Sequence, residues 1–262
     1  MAKVENIDLR MNIVDLVRRG NGGHIPSAFS IVDIIDTVYS DFLKHDSENP
    51  DWEGRDIFIL SKGHGCAALY VVLHKNGYLQ QKDMDEYLSF QGILGGHPDR
   101  TKVPGAEAST GSLGHGLPFA VGIALGLKVQ KKSNRVIVLV GDGECHEGTI
   151  WESALVAQSL GLDNLCCFID YNGSADQILP HPNIAKQWEA FGWGIHEIDG
   201  HNPDEIRNEL GDFYKRSEGV PTAIIANTVK GKGVSFLQKH GPWHYKVPDD
   251  KEYEAIKEEL QS

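Results

Sequence analysis

Two turns that carry polar side chains each follow an apolar run of residues. RVIVLV (135–140) precedes GDGECHEG (141–148), and the run LCCFIDYN (165–172) ends at Asn172, thirty residues after Asp142. A helix-like segment between the two turns is a plausible crossover, so we expect the turns to lie side by side at one edge of a parallel sheet. A carboxylate and an amide oxygen there, completed by a backbone carbonyl, water and phosphate oxygens, suit a hard divalent ion such as Mg²⁺.

The glycines on both sides of Asp142 let the backbone approach a ligand closely. An amide such as that of Gly143 can then donate to a phosphate oxygen. The alternative is that GDG is merely a turn, because Gly and Asp are favoured there anyway. The matching strand end at Asn172 favours the metal and diphosphate interpretation.

The rest of the chain alternates between apolar runs and segments with helical periodicity. This alternation predicts an α/β fold, with a parallel sheet covered by helices on both faces and ligands bound at the carboxyl ends of the strands. NGGHIPSAF (21–29) is predicted to be a loop, and Ser30 is a candidate N-cap of the helix that follows. We expect one domain over residues 1–262. The predicted strands are 56–60, 135–140, 165–172, 194–200 and 221–229, and the predicted helices are 7–20, 30–46, 66–77, 117–132, 149–160 and 203–217.

Composition excludes several classes of protein. The chain has 262 residues, 40% of them hydrophobic, and a formal charge of −12 without a dense basic stretch, which argues against a nucleic-acid partner. No window approaches the roughly 18 apolar residues of a membrane span, and MAKVENIDLR lacks the apolar core of a signal peptide, so we expect a cytoplasmic protein. Of the four cysteines, Cys166 and Cys167 are adjacent in a predicted strand, which favours reduced thiols, and no CxxC pair suggests zinc.

Several further motifs occur in a characteristic order along the chain. GDG followed about thirty residues later by Asn is the thiamine diphosphate signature, and the surrounding motifs resemble those of transketolase. They are His24 in GGHIP, His64 in SKGHG, His97 in GGHPD, TGSLGHG (110–116), TVKGKGVSF (228–236) and WH (243–244).

The resemblance implies a thiamine diphosphate-binding fold and a set of ligands for the cofactor. Asp142, Asn172 and the main-chain carbonyl of Ser174 would hold Mg²⁺, while Gly143 and His64 would contact the diphosphate. The remaining cofactor contacts implied are Gly111, Ser112, Leu113 and His244.

The resemblance also implies catalytic residues and a boundary between subunits. His24, His64, His97 and His244 would surround the thiazolium ring and exchange protons with a ketose donor near physiological pH. Glu147 would lie at the interface between subunits and couple paired sites, although an acid at a helix start can simply complement the helix dipole.

Other histidines and one loop fit the family pattern less well. His115 and His146 are left outside the site, and His240 competes with His244 for the motif position. After Asn172 the sequence GSADQILPHP places Asp176 where the family carries an aliphatic residue, unless the loop is shifted in register. Three histidines without a matching motif are expected to be structural: His181, His196 and His201.

The resemblance extends over nearly the whole chain but covers one part of a transketolase. It implies the N-terminal subunit of a split enzyme, in which a separate C-terminal subunit supplies the pyrimidine-binding domain, in an α2β2 assembly. The expected reaction is transfer of a two-carbon ketol unit from a ketose, usually phosphorylated, to an aldose. The alternatives are a specialised carboligase or decarboxylase component acting on a modified sugar or an α-keto acid, and a non-catalytic cofactor-binding remnant.

Overall fold

A computed structural model describes residues 4–217, 219–238 and 241–262, with the backbone alone for Pro242. Within these residues five strands form one parallel sheet in the order β1-β2-β3-β5-β4. The parallel sheet predicted from the sequence is therefore confirmed, and every strand lies within two residues of its predicted bounds. The strands are β1 Ile57–Leu60, β2 Val136–Gly141, β3 Leu165–Tyr171, β4 Gly194–Asp199 and β5 Thr222–Asn227.

Helices cover both faces of the sheet. Side chains alternate along each strand, so Ile137 and Leu139 of β2 join one apolar core while Val136, Val138 and Val140 join the other. The α-helices in the described residues are α1 Ile7–Gly20, α2 Ile25–Phe29, α3 Val32–Thr37, α4 Cys66–Lys75, α5 Gln81–Asp85, α6 Gly116–Val129, α7 Gly148–Ser159, α8 Ile184–Ala190, α9 Pro203–Lys215 and α10 Asp250–Gln261. The first core packs under α1 to α4, α9 and α10, and the second under α6, α7 and α8.

The region between residues 21 and 46 differs from the sequence prediction. The predicted loop 21–29 is wrong in part, because Ile25–Phe29 is helical; Pro26 in its first turn has a backbone already suited to a helix start. The predicted helix 30–46 is also wrong in its bounds, because α3 starts at Val32 and a π-helical turn, Val38–Phe42, ends it. Ser30 does not cap this helix: its hydroxyl donates instead to Asp170 (2.8 Å) and lies 3.0 Å from the Ser27 carbonyl oxygen.

The carboxyl ends of the strands meet at one edge of the sheet. Gly141 of β2 pairs with Asp170 of β3, and Tyr171 of β3 pairs with Asn227 of β5. The Asp142 amide donates to the Asp170 carbonyl at 3.1 Å, which extends the ladder into the turn. The two polar turns are thus adjacent, as their spacing predicted.

No helix among the described residues is long and apolar enough to span a membrane.

Candidate functional site

A cavity of about 470 Å³ opens at this carboxyl edge. Its volume lies within the range of small-ligand sites. Turns after β1, β2, β3 and β5 form its wall together with α2, so it lies where parallel sheets bind ligands. The lining residues are Ser27, Lys62, His64, Leu113, Gly141, Asp142, Gly143, Glu144, His146, Asn172, Ser174, Ala175, Ile178, Lys230 and His244.

The oxygen ligands predicted from the sequence share one part of this cavity. Asp142, which is almost fully buried, accepts the Gly143 amide at 2.7 Å and a long contact of 3.4 Å from the Ala175 amide. Asn172 Oδ1 accepts the Ser174 amide at 3.0 Å. Burial, with repulsion from Asp170, raises the pKa of Asp142. A cation bound beside this carboxylate would offset that effect.

A second acid, Asp170, joins several of the segments around the cavity through hydrogen bonds and an ion pair. This fully buried carboxylate pairs with Lys62 (2.5 Å) and accepts hydrogen bonds from Asn172 Nδ2 (2.9 Å), Ser30 and the Thr228 hydroxyl. Burial alone would raise the pKa of Asp170, but the Lys62 ammonium and these donors outweigh burial and lower it. The acid within the apolar strand LCCFIDY was the signal available in the sequence, yet sequence reasoning assigned it no role.

Lys230 is the second residue that sequence reasoning missed. Its half-buried side chain lines the cavity, and it has no salt-bridge partner among the described residues. Burial and the nearby Lys62 lower the pKa of Lys230, while Asp142 and Asp170 act in the opposite direction. Because Lys62 is already neutralised by Asp170, Lys230 is the cation that an anionic ligand would meet. Its position in KGKG was visible in the sequence.

Three of the four histidines predicted to be catalytic cluster at the cavity. The His24 ring lies 5.5 Å from that of His64 and 5.0 Å from that of His244, and Tyr245 packs against it at 4.8 Å. His64 and His244 lie 6.5 Å apart. His24 is brought there by the N-terminus of α2, and His64 by the turn after β1. The competing candidate His240 lies outside the described residues.

The clustered imidazoles are held in their neutral form. Burial, followed by the unfavourable interaction of a protonated ring with His244, His97, Lys230 and Lys62, lowers the pKa of His24 to about 4. Burial and the charge of Lys62 lower the pKa of His64 to about 2, and burial and Lys230 lower that of His244. At neutral pH these rings can donate or accept hydrogen bonds without carrying charge. His64, whose pKa is lowest, is the weakest base of the three.

The TGSLG segment is fixed to the turn of GDGE by a buried acid. Glu144 accepts hydrogen bonds from Ser61 Oγ (2.5 Å), the Gly114 amide (2.8 Å) and the Gly141 amide (3.2 Å), so one carboxylate joins three segments. Its burial raises the pKa of Glu144. Leu113, next to this anchor, lines the cavity.

Four predicted site residues lie beside the cavity rather than on its wall. His24 is one of them, and it reaches the site through its ring contacts with His64 and His244, which line the cavity. Gly111 and Ser112 precede Leu113 in the chain but do not line the cavity. The exposed His97 lies against Gly111: a Cβ added to Gly111, whose φ is +151°, would approach His97 Cδ2 to 3.0 Å. The structure therefore places His97 against this glycine segment, close enough to His24 to contribute to the lowered pKa of that ring.

The loop after Asn172 holds Asp176 through local hydrogen bonds. The Asp176 carboxylate accepts the Tyr171 hydroxyl (2.8 Å) and the His181 amide (3.2 Å), which keeps it in the loop. Ile178, two residues later, lines the cavity, although its side chain is 90% exposed. Asp176 is thus bonded within the loop, and Ile178 supplies an aliphatic side chain at the cavity wall.

His146 and His181 contribute differently from the sequence expectation. The expectation that His146 lies outside the site is wrong, because its side chain lines the cavity. Its ring stacks on that of His181 at 4.3 Å with an interplanar angle of 7°. His181 also contacts the main-chain oxygen of Asp142 through Nε2 at 3.0 Å. His115 stays outside the cavity and contacts the Leu113 carbonyl.

Glu147 stands at the solvent-exposed start of α7, where it occupies the N-cap position without a side-chain capping bond. Beside it, α6 and α7 pack together and carry exposed apolar side chains, among them Phe119, Leu155, Val156 and Leu160. Exposed apolar side chains therefore occur along α6 and α7, and Glu147 stands at the N-terminal end of α7.

The residues present fit a magnesium diphosphate group. Asp142 and Asn172 offer the oxygen ligands that Mg²⁺ prefers, and within the described chain no three His, Cys, Asp or Glu side chains gather into a site that would hold a metal without help from a ligand. The Ser174 hydroxyl is buried without a hydrogen-bond partner among the described residues. Lys230 supplies positive charge on the same wall. The four cysteines are buried and unpaired, and burial raises their thiol pKa values, so they take no part.

Comparison with known proteins gives consistent matches. The family model described as transketolase, thiamine diphosphate binding domain, matches residues 3–261. The chain is 40% identical to an apulose-4-phosphate transketolase subunit of Actinobacillus succinogenes, over 91% of this chain and 88% of that protein. It is 38% identical to a 6-deoxy-6-sulfo-D-fructose transketolase subunit of a Clostridium species, over 89% and 86%.

Longer proteins match over part of their length. Human transketolase is 34% identical over 97% of this chain and 41% of its own. Among solved structures, transketolase from Campylobacter jejuni superposes with a TM-score of 0.89 at 30% identity, covering 97% of this chain and 41% of that one. Transketolase from Leishmania mexicana superposes with a TM-score of 0.91 at 27% identity, over 100% and 42%.

Proposed function

The chain belongs to the transketolase family and corresponds to the thiamine diphosphate-binding domain. On that premise we propose that the cavity holds magnesium thiamine diphosphate and that the chain works with a separate C-terminal subunit. Together they would transfer a two-carbon ketol unit from a ketose to an aldose. The observation that carries the proposal is that Asp142, Asn172 and Lys230 line one cavity together with two histidines of the neutral cluster, His64 and His244.

The first part of the proposal concerns the residues that would anchor the cofactor's diphosphate and its Mg²⁺. Asp142 and Asn172 would hold Mg²⁺ through side-chain oxygens, and Ser174 through its main-chain carbonyl. The Gly143 amide and Lys230 would bind the phosphate oxygens, and Leu113 would line the cofactor together with Gly111 and Ser112. Asp170 supports this set indirectly, because its bond to Asn172 Nδ2 (2.9 Å) leaves Oδ1 directed away from it. When bound, thiamine diphosphate supplies the carbanion chemistry.

The second part of the proposal concerns the histidines that would transfer protons. A ketose donor loses a hydroxyl proton as its C2–C3 bond breaks, and a neutral imidazole can accept that proton. His24, with its pKa at about 4, and His244 are the better candidates for this step. His64, at about 2, would serve mainly as a hydrogen-bond partner of the diphosphate or the polyol. His97, beside Gly111, would contact the substrate from the outer side.

A partner chain is supported by relatives that are themselves named as subunits. Two of these relatives are named for apulose 4-phosphate, and another is named for 6-deoxy-6-sulfo-D-fructose. We propose a modified or phosphorylated sugar as the substrate class and an α2β2 assembly. The apolar surface on α6 and α7 offers an area for contact between two copies, with Glu147 at its margin. The buried free cysteines support a reducing location such as the cytoplasm.

The test is co-purification with the product of a neighbouring gene, followed by donor and acceptor screening with thiamine diphosphate and Mg²⁺. We expect ketol transfer by the pair and none by this chain alone. A normal rate from the purified chain alone would refute the need for a partner.

Asp142→Ala provides the matched variant in the same assay. We expect it to abolish Mg²⁺-dependent cofactor binding by the assembled enzyme, because the charged metal ligand is lost. Unchanged binding would favour a remnant without catalytic function. Turnover of an α-keto acid donor with release of carbon dioxide would instead identify the decarboxylase or carboligase alternative.

A further inference from the structure

A buried network links α1 and α3 to the turn that carries Lys230. Arg10 is fully buried and pairs with Asp33 through both guanidinium NH₂ groups, at 2.9 and 2.7 Å. Asp33 also accepts Nδ1–H of His201 at 2.8 Å and an amide hydrogen from Asn6 at 3.0 Å. The carboxylate of Asp33 therefore has four donors in a site that water does not reach.

The same network continues to the Lys230 turn through His201. The Val229 amide donates to His201 Nε2 at 2.8 Å, so Nε2 is an acceptor and the ring proton resides on Nδ1, facing Asp33. The charge of Asp33 stabilises this tautomer. A ring in the other tautomer would place a proton against the Val229 N–H. Asp33 thus determines which atom His201 presents to the turn.

Further bonds secure the opposite side of the turn. The Lys232 carbonyl accepts from Arg10 Nε at 3.4 Å, and the Gly231 amide donates to the Pro26 carbonyl at 3.0 Å. Main-chain groups on both sides of Lys230 are therefore held: the Val229 amide and the Lys232 carbonyl by the buried network, and the Gly231 amide by the Pro26 carbonyl. Its side chain extends from this turn to the cavity wall.

We propose that His201 is a positioning residue that, through the Val229 amide, holds the ammonium of Lys230 where it binds the diphosphate; this rests on the proposed function. It assigns a role to a histidine expected from the sequence to be structural. His201 itself lies outside the cavity wall. Its effect on the ligand must therefore pass through Lys230.

Two substitutions separate the bonds that His201 makes. His201→Asn retains an amide donor at the reach of Nδ1, so Asp33 stays satisfied and folding is preserved, but it cannot reach the Val229 N–H. His201→Gln carries an acceptor at the reach of Nε2 and should rescue the contact. His196→Gln is a matched control, because His196 of β4 contacts Glu209 of α9 (2.7 Å) and Arg216, which lie outside the turn.

Two measurements on the full chain test the proposal. Hydrogen exchange measures the protection of the Val229 amide in the absence of ligand. Calorimetric titration with inorganic pyrophosphate and Mg²⁺ measures the affinity of the site for the diphosphate group. For His201→Asn we expect exchange at Val229 to accelerate, and pyrophosphate affinity to fall, each about 10-fold. His201→Gln and His196→Gln should stay within about 2-fold of the unsubstituted chain.

A double-mutant cycle distinguishes positioning from a general structural effect. In a Lys230→Met background His201→Asn should change pyrophosphate affinity less than about 2-fold, because the group that it positions is gone. An equal loss in both backgrounds, unchanged Val229 exchange in His201→Asn, or failure of His201→Gln to rescue would each overturn the proposal. Absence of pyrophosphate binding by the unsubstituted chain would contradict the proposed function instead, and the exchange data would still decide the contact between His201 and Val229.

Discussion

Asp170→Asn should be one of the most destabilising single substitutions at the site. Asp170 and Lys62 have side chains that are 0% and 2% exposed and lie 2.5 Å apart, so the change leaves an ammonium ion in the interior without a counter-ion. Breaking a buried ion pair from one side costs about 3–5 kcal/mol. The new amide also presents a donor where Ser30 and Asn172 already donate, which adds to the loss.

The assay is urea unfolding of the full chain without cofactor, monitored by tryptophan fluorescence, with thermal unfolding alongside. At about 2–4 °C per kcal/mol for a domain of this size, the melting temperature should fall by about 10 °C. Lys62→Met in the same background is the control, because removing the unpaired charge should recover most of the lost stability.

The pH dependence of this pair has a defined sign. The pKa of Asp170 is lowered in the folded chain, so its contribution to stability is fully present above the unfolded value of about 3.9 and is lost as pH falls through the folded value. The stability difference between the unsubstituted chain and Asp170→Asn should therefore shrink under acid conditions. A loss below about 1 kcal/mol at neutral pH, or a double variant no more stable than Asp170→Asn, would refute the reasoning.

Three other predictions follow from single contacts. Because the pKa of His24 is about 4, the ring is about 99% neutral at pH 6. Between pH 6 and 8, the pH–rate profiles of the assembled enzyme and of its His24→Gln variant should therefore have the same shape. An inflection that is present in the unsubstituted enzyme and lost in His24→Gln would contradict the assignment of a neutral ring. Gly231→Ala should lower the free energy of unfolding by about 2 kcal/mol or more, since the φ of Gly231 is +75° and the new Cβ would lie 2.6 Å from the Leu237 carbonyl carbon. An unchanged denaturation midpoint would argue against this turn geometry. Ile178→Asn should change stability by less than about 0.5 kcal/mol, because the side chain is exposed, yet weaken thiamine diphosphate binding in calorimetric titration of the assembled enzyme; equal affinity would remove Ile178 from the site.

The sequence by itself determined the sheet and the region where ligands bind. Runs such as VIVLV and LCCFI are apolar without interruption, and such runs form the central strands of a parallel sheet because both faces are buried. The spacing of Asp142 and Asn172 then sufficed to place them side by side, because consecutive parallel strands end at the same edge. The order of glycine and histidine motifs identified the family, and the comparisons bear it out.

Only the tertiary structure decided which charges pair and which remain free for a ligand. Lys62 and Asp170 are 108 residues apart, and no local pattern records that one neutralises the other and leaves Lys230 as the cation at the cavity. The loop conformation that holds Asp176 and places Ile178 at the cavity depends on the Tyr171 hydroxyl and the His181 amide. The link from Asp33 to Val229 through His201 likewise joins residues far apart in the chain. Periodicity reflects which face of an element is buried, whereas the partner of each polar group depends on how separate elements pack.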